Sequence, residues 1–318
     1  MKVRIMGLAL SLCLVLSSCG SRASLVAQAA GWDDTQTLLV IGGREVPGWR
    51  YLYWLSGACD RVREEYALSG ADLDWQAAVG NGTLADEVKE QALRDTALYT
   101  QVELWAEQYG YTLTQEDQAS LEQEWQEQTA GGEEAALHQL ESQGLTRERA
   151  EELASVGLLY AGLYRMCQTE GSPLAPTQEE LQTFAAQQGI VTVDRIFYPA
   201  GEDPDAARTQ AAEAFSALNG AADQAEVFTA LASAVQQTEE YKALEAAKNA
   251  NDLDPELEEA AAALEEGQCS GILETDEGFS ILRRLSTDSR ELAGAWFDVQ
   301  LQNAAADISV ETGERYDQ

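Results

Sequence analysis

Histidine is nearly missing from this sequence: His138 is the only one in 318 residues. A single imidazole excludes a histidine-based metal cluster, a Ser-His-Asp set and a Cys-His pair of the usual layout. His138 itself lies in a polar, helix-forming stretch, where an imidazole ordinarily sits in solvent. Positive charge is scarce too, with 20 Lys and Arg against 55 Asp and Glu and a formal net charge of −35. That balance excludes nucleic acid as a partner, because phosphates need a basic face. It also predicts repulsion from anionic lipid headgroups, so any membrane attachment has to come from something other than surface charge. The acidity is otherwise a solubility device, and with 55 acidic residues carboxylate pairs at helical spacing arise by chance on solvated faces. Neither Gly42-Gly43 nor Gly131-Gly132 carries the lysine-serine tail of a phosphate loop. No metal and no cofactor is expected.

The start of the chain supplies an attachment of another kind. Lys2 and Arg4 form a positive n-region, Ile5 to Val15 an apolar core too short to span a bilayer, and Leu16-Ser17-Ser18-Cys19 follows at once. This resembles a bacterial lipobox, with residues 1–18 as signal peptide and Cys19 as the lipid-carrying first mature residue. Ala27-Gln28-Ala29 has the small-x-small form of an ordinary cleavage site but lies far beyond the apolar core. Residues 19–32 are then the lipidated cysteine and a small-residue tether, of which a dozen extended residues reach roughly 40 Å. The implied location is the extracytoplasmic face of a bacterial cell membrane. With Cys13 and Cys19 set aside, Cys59, Cys167 and Cys269 remain, an odd number without metal-type spacing. The compartment permits a Cys59–Cys167 bridge, but three separately buried thiols are the expectation.

Thr37 to Val46 reads as a strand, a Gly-Gly turn and a returning strand, with Pro47 at a first helical position. Leu52, Leu55, Cys59, Val62 and Tyr66 recur at three and four and predict an amphipathic helix over Trp49 to Tyr66. A longer helix is expected over Thr83 to Gln108. Thr114 to Asp117 forms a capping box opening a helix through Trp125, and further helices cover Glu133 to Ser142 and Arg147 to Cys167, the last capped by Thr146. A strand of the "V-x-G-x-x-I/V-P" form, "A-x-x-x-G-(x)2-x-T-x-x-(E/D)" over Ala106 to Asp117, and "L-x-x-x-G-L-T-x-x" over Leu140 to Glu148 follow in order. This order resembles the N-terminal chaperone domain of the extracytoplasmic foldases PrsA and SurA.

Gly171 to Pro176 breaks the pattern and marks a boundary. Thr177 to Glu180 caps a short helix to Gly189, and the β-branched, aromatic run Ile190 to Tyr198 predicts the first strand of a new module. Helices over Asp205 to Leu218 and Asp223 to Val235 follow, then a lysine- and alanine-rich run over Tyr241 to Asp252. After a helix ending near Leu264, Gly267 is placed as a left-handed cap. Ser270 to Leu273 is expected to be a strand, Asp276-Glu277-Gly278 a turn, and Phe279 to Leu285 the returning strand. The run resembles the closing "G-x-x-S-x-x-x-x-T-x-x-G-x-H-I-x-x-L" of a parvulin-type peptidyl-prolyl isomerase domain. Gly267, Ser270, Thr275, Gly278, Ile281 and the last leucine are in place, and Ser280 stands where the histidine belongs.

All seven tryptophans lie outside Ile190 to Leu285, and Trp296 belongs with the tryptophan-rich N-terminal half. The expected fold is therefore α+β: a mainly helical chaperone domain of residues 33–172 and 288–318, with a parvulin-like module of residues 177–287 inserted in it. A helix over Glu291 to Asn303 is expected to turn Leu292, Trp296 and Val299 onto the N-terminal half.

The resemblance implies a site. Its first histidine position falls on Arg195, its second on Ser280, and the proline-pocket Met and Phe positions fall on Leu253 and Leu257; Phe197 and Phe279 complete the substrate-binding candidates. The usual "G-G-D-L-G" stretch is missing. The implied function is a membrane-anchored foldase-like chaperone for unfolded exported polypeptides, with prolyl isomerase activity weak or lost. Trp49, Tyr51 and Trp54 could offer apolar surface to clients, although core packing is the ordinary reading. A working isomerase with non-histidine groups, a non-catalytic scaffold for one dedicated partner, and assembly as a homodimer stay open.

Overall fold

The computed structural model describes residues 32–236, 245–249 and 254–316. Cys19 and Leu253 lie outside them. The chain divides into two compact units, one over residues 176–293 and the other over residues 32–175 together with 294–316.

The second unit is helical around a small sheet. Strands β1 (Thr37–Ile41) and β2 (Arg44–Pro47) form a hairpin, and a short strand near the chain's end, β9 (Val310–Thr312), pairs antiparallel with the other edge of β1. Leu39, Ile41 and Val46 alternate inward and close a core with Tyr51, Ala92 and Ala97. Helix α1 (Gly48–Ser69) follows directly, with Pro47 as its extended N-cap and not its first helical residue. A two-residue-stranded hairpin, β3 (Ala78–Val79) and β4 (Gly82–Thr83), was not apparent in the sequence. It leads into α2 (Leu84–Gln108), which opens on a Thr83–Asp86 capping box. Helices α3 (Gln115–Thr129) and α5 (Arg147–Cys167) start where the caps Thr114 and Thr146 predict, and α4 (Glu133–Ser142) starts after Gly132 without a side-chain cap.

The unit over residues 176–293 begins with α6 (Gln178–Gln188), held by a Thr177–Glu180 capping box. Then come β5 (Thr192–Pro199), α7 (Pro204–Asn219), α8 (Gln224–Gln236), β6 (Glu245–Asn249), α9 (Pro255–Ala263), β7 (Leu273–Thr275) and β8 (Gly278–Leu285). The sheet order is β6-β5-β8-β7, antiparallel throughout. One face packs Ile196, Tyr198, Phe279 and Ile281 against alanines of α7 and Phe228 of α8. The other packs Val191, Val193 and Leu282 against Leu257, Ala261 and Leu264 at α9.

Several local expectations are corrected here. Helix α9 stops at Ala263 with Leu264 extended, so Gly267 (φ 82°) serves the turn beyond and not the helix cap. Strand β7 starts at Leu273, later than expected, because Ser270 bonds β8 partly through its side chain: its hydroxyl accepts the Leu282 N–H at 2.9 Å. Strand β6 arises in the lysine- and alanine-rich run, where low strand propensity hid it and the open edge of β5 supplies the pairing. Gly278 opens β8 and does not lie in the turn; a Cβ there would meet the Tyr198 carbonyl at 2.3 Å.

The last helix, α10 (Ser289–Asp307), buries Phe297 and Leu301, whereas Trp296 and Val299 are only half-buried. Leu292 is buried too, so the large apolar side chains turned inward are Leu292, Phe297 and Leu301 and not Leu292, Trp296 and Val299. Phe297 packs with Trp105, Tyr160 and Tyr164 at ring distances of 5.6, 5.6 and 5.8 Å, and unlike tryptophan it carries no N–H that needs a partner in the core. Cys59, Cys167 and Cys269 form no disulfide, and only Cys167 is buried while the other two are half-buried. Burial pushes the Cys167 thiol up to about 12.

Candidate functional site

Strands β5 and β8 place the site at the middle of the four-stranded sheet. Their register sets Arg195 opposite Leu282 and Phe197 opposite Ser280. Side chains alternate along a strand, so Val193, Arg195 and Phe197 share one face, and Ser280 and Leu282 share the matching face of β8. Arg195 reaches diagonally across: its Nε donates to Ser280 Oγ at 3.0 Å. Its guanidinium also lies over the Phe197 ring, 4.2 Å from the centroid. Ser280 is wholly buried, and Leu257 of α9 is 1% exposed among Val193, Ala261 and Leu282 on the same face.

The structure therefore brings Arg195, Phe197, Ser280 and Leu257 to one face of the sheet. Phe279 does not join them. It is 3% exposed on the opposite face, packed into the α7–α8 core with the Arg208 guanidinium 5.0 Å from its ring. The same alternation that puts Ser280 at the site turns its neighbour away. The Arg195–Phe197 stack was not foreseen, although an arginine two residues before an aromatic on one strand was its signal.

Chemically, a guanidinium and a serine hydroxyl cannot exchange protons near neutral pH as an imidazole pair can. The face offers a fixed positive charge, an aromatic ring already covered by that charge, and an apolar floor from α9. Among the described residues there is no cluster able to hold a metal ion, and no helix is long and apolar enough to cross a membrane.

The aromatics proposed for client contact are structural. Trp49 and Tyr51 are 7% and 4% exposed, and Trp54 packs on Tyr99 at a ring distance of 4.3 Å. Their spacing at the start of α1 turns them inward against two separate cores. His138 is exposed on α4.

A match to a known family covers this site. Residues 177–289 match the PPIC-type PPIASE domain, so the module that carries Arg195 and Ser280 is similar to parvulin-type peptidyl-prolyl isomerase domains. No curated protein matches the chain by sequence. Among solved structures, PrsA from Bacillus cereus is 16% identical over 89% of this chain and 96% of that one, with a TM-score of 0.32. One of two SurA-like chaperones of Campylobacter jejuni is 13% identical over 88% and 99%, with a TM-score of 0.25. The foldase protein PrsA from Streptococcus pneumoniae is 18% identical over 74% and 89%, with a TM-score of 0.29.

Proposed function

We propose that this chain is a lipid-anchored, extracytoplasmic foldase-like chaperone that binds unfolded exported polypeptides, and that its parvulin-like module has little or no prolyl isomerase activity. The observation that carries the second half is the Arg195–Ser280 hydrogen bond, 3.0 Å, at the two positions where the parvulin resemblance puts histidines. Isomerisation has to overcome amide resonance, a barrier on the order of 20 kcal/mol, by seating the proline ring in a dry apolar pocket and favouring the twisted amide. Here the guanidinium covers the Phe197 ring that a proline would stack on, and it brings a permanent charge to the pocket floor. Leu257 in place of an aromatic removes a second stacking surface. The signal-like start and Cys19 support export and anchoring, and the isomerase-like module supports polypeptide as the substrate class.

Two measurements test the reading. Cis-to-trans relaxation of proline tetrapeptides with varied residues before the proline should run at the uncatalysed rate, while aggregation of unrelated unfolded proteins should be suppressed. Acceleration that disappears in Arg195→Ala would establish a working isomerase instead; failure to suppress aggregation of any client would favour a dedicated scaffold. For the anchor, Cys19→Ser should shift the protein from the membrane to the soluble fraction, and a variant that stays membrane-bound after signal removal would refute it.

A further inference from the structure

A cavity of about 1070 Å³ opens in the helical unit between the α2–α3 loop, α5 and α10. Tyr111, Tyr160 and Tyr164 wall it. The rings of Tyr160 and Tyr164 lie 6.0 Å apart, and both rest on the buried ring of Phe297, which holds them in place. Tyr111 lies directly on α5 at Gly162, where a Cβ would come within 1.9 Å of its ring; glycine is what admits the ring. Asp298 enters from α10, its Oδ1 accepting the Tyr160 hydroxyl at 2.5 Å. Asp117, bonded by the N–H and hydroxyl of Thr114, stands at the α3 end, and Glu116 lies beside it. Against these three carboxylates the described lining sets one cation, Arg165.

We propose that this pocket binds the cationic side chain, lysine or arginine, of an extended polypeptide. Tyrosine faces attract an ammonium or guanidinium group held within about 6 Å. A half-buried carboxylate gains most from a cation that arrives without water, and burial already holds the Asp298 carboxyl above its usual range, a cost that a bound cation relieves. An apolar side chain would desolvate Asp298 and return nothing, and an acidic one would be repelled. The cavity is larger than one side chain needs, which leaves room for the flanking backbone. The net charge of −35 draws basic segments toward the chain. This inference rests on the chaperone reading and specifies its substrate.

The test uses the mature full-length chain and two fluorescein-labelled decapeptides of alanine and leucine, one with a central lysine and one with norleucine at that place. Anisotropy at low salt should show the lysine peptide binding about tenfold more tightly, with n-butylammonium chloride displacing it further than equal sodium chloride does. Asp298→Asn keeps an acceptor for Tyr160 and barely changes net charge, yet should abolish most of the tenfold preference. Equal binding of the two peptides overturns the pocket and leaves the chaperone reading standing. So does a preference that survives Asp298→Asn, or, should that variant fail to fold, a wild-type preference that butylammonium does not erode. Binding of neither peptide overturns both readings.

Discussion

At Arg50 the shortage of positive charge is put to structural use. The residue is 4% exposed, holds Glu103 through both Nη atoms at 2.8 and 3.0 Å, and also pairs with Glu152. Removing one partner of a buried pair strands the other charge, so Arg50→Met should lower stability by about 3 kcal/mol; Arg44, 3.3 Å from Glu103, keeps the loss at the low end of the usual range. The exposed Arg94–Glu90 pair, 3.6 Å apart, is the contrast, and Arg94→Met should change stability by less than about 0.5 kcal/mol. Urea unfolding followed by tryptophan emission measures both, and equal effects would count against the burial argument. Nothing in the sequence distinguishes Arg50 from Arg94, because burial of a charge depends on contacts 53 and 102 residues away. Ser280 was placed by a motif spaced along the chain and Arg195 by the resemblance of the strand Val193 to Phe197, and the register of β5 on β8 sets the two on one face. Phe279 was misassigned where strand alternation, applied one residue further, would have turned it to the other face.

Helices were easier to read than strands because their ends carry local chemistry. Thr114 with Asp117, and Thr177 with Glu180, satisfy their own helix starts, and no distant residue is needed to see it. Strands β6 and β9 depend on an edge provided from elsewhere, β5 in one case and β1 in the other; β6 shows little strand preference, and β9 is only three residues long. The Glu180 cap also gives a signed pH dependence. The Thr177 hydroxyl and N–H hold the Glu180 carboxyl below its usual range. A depressed carboxylate stabilises the fold fully above its unfolded pKa and loses that contribution as pH falls through the folded value. Glu180→Ala should therefore melt below wild type at pH 7, with the gap closing as the solution is acidified below about pH 4. Thermal melts across that range check it, and a gap that stays constant into acid would remove the charge from the explanation.

The chain leaves the helical unit near Ala175 and returns to it at Gly294, and what surrounds those points bears on how the whole molecule is organised. Strand β9 pairs with β1 across almost the full length of the sequence, and Phe297 packs on rings from α2 and α5, so both flanks belong to one core. The isomerase-like unit has its own sheet with apolar clusters on both faces. We infer that residues 177–287 are an insertion that the helical unit can fold without. Replacing them with a flexible linker of roughly ten residues adds a chain-closure cost on the order of 2 kcal/mol, small beside the core that remains. All seven tryptophans lie outside Ile190 to Leu285, so the shortened protein should keep the tryptophan emission spectrum of the full chain, a strong helical circular dichroism signal and one cooperative thermal transition. A red-shifted emission together with a broad, non-cooperative melt would mean that the two flanks need the module to find each other, and the insertion would have to be given up.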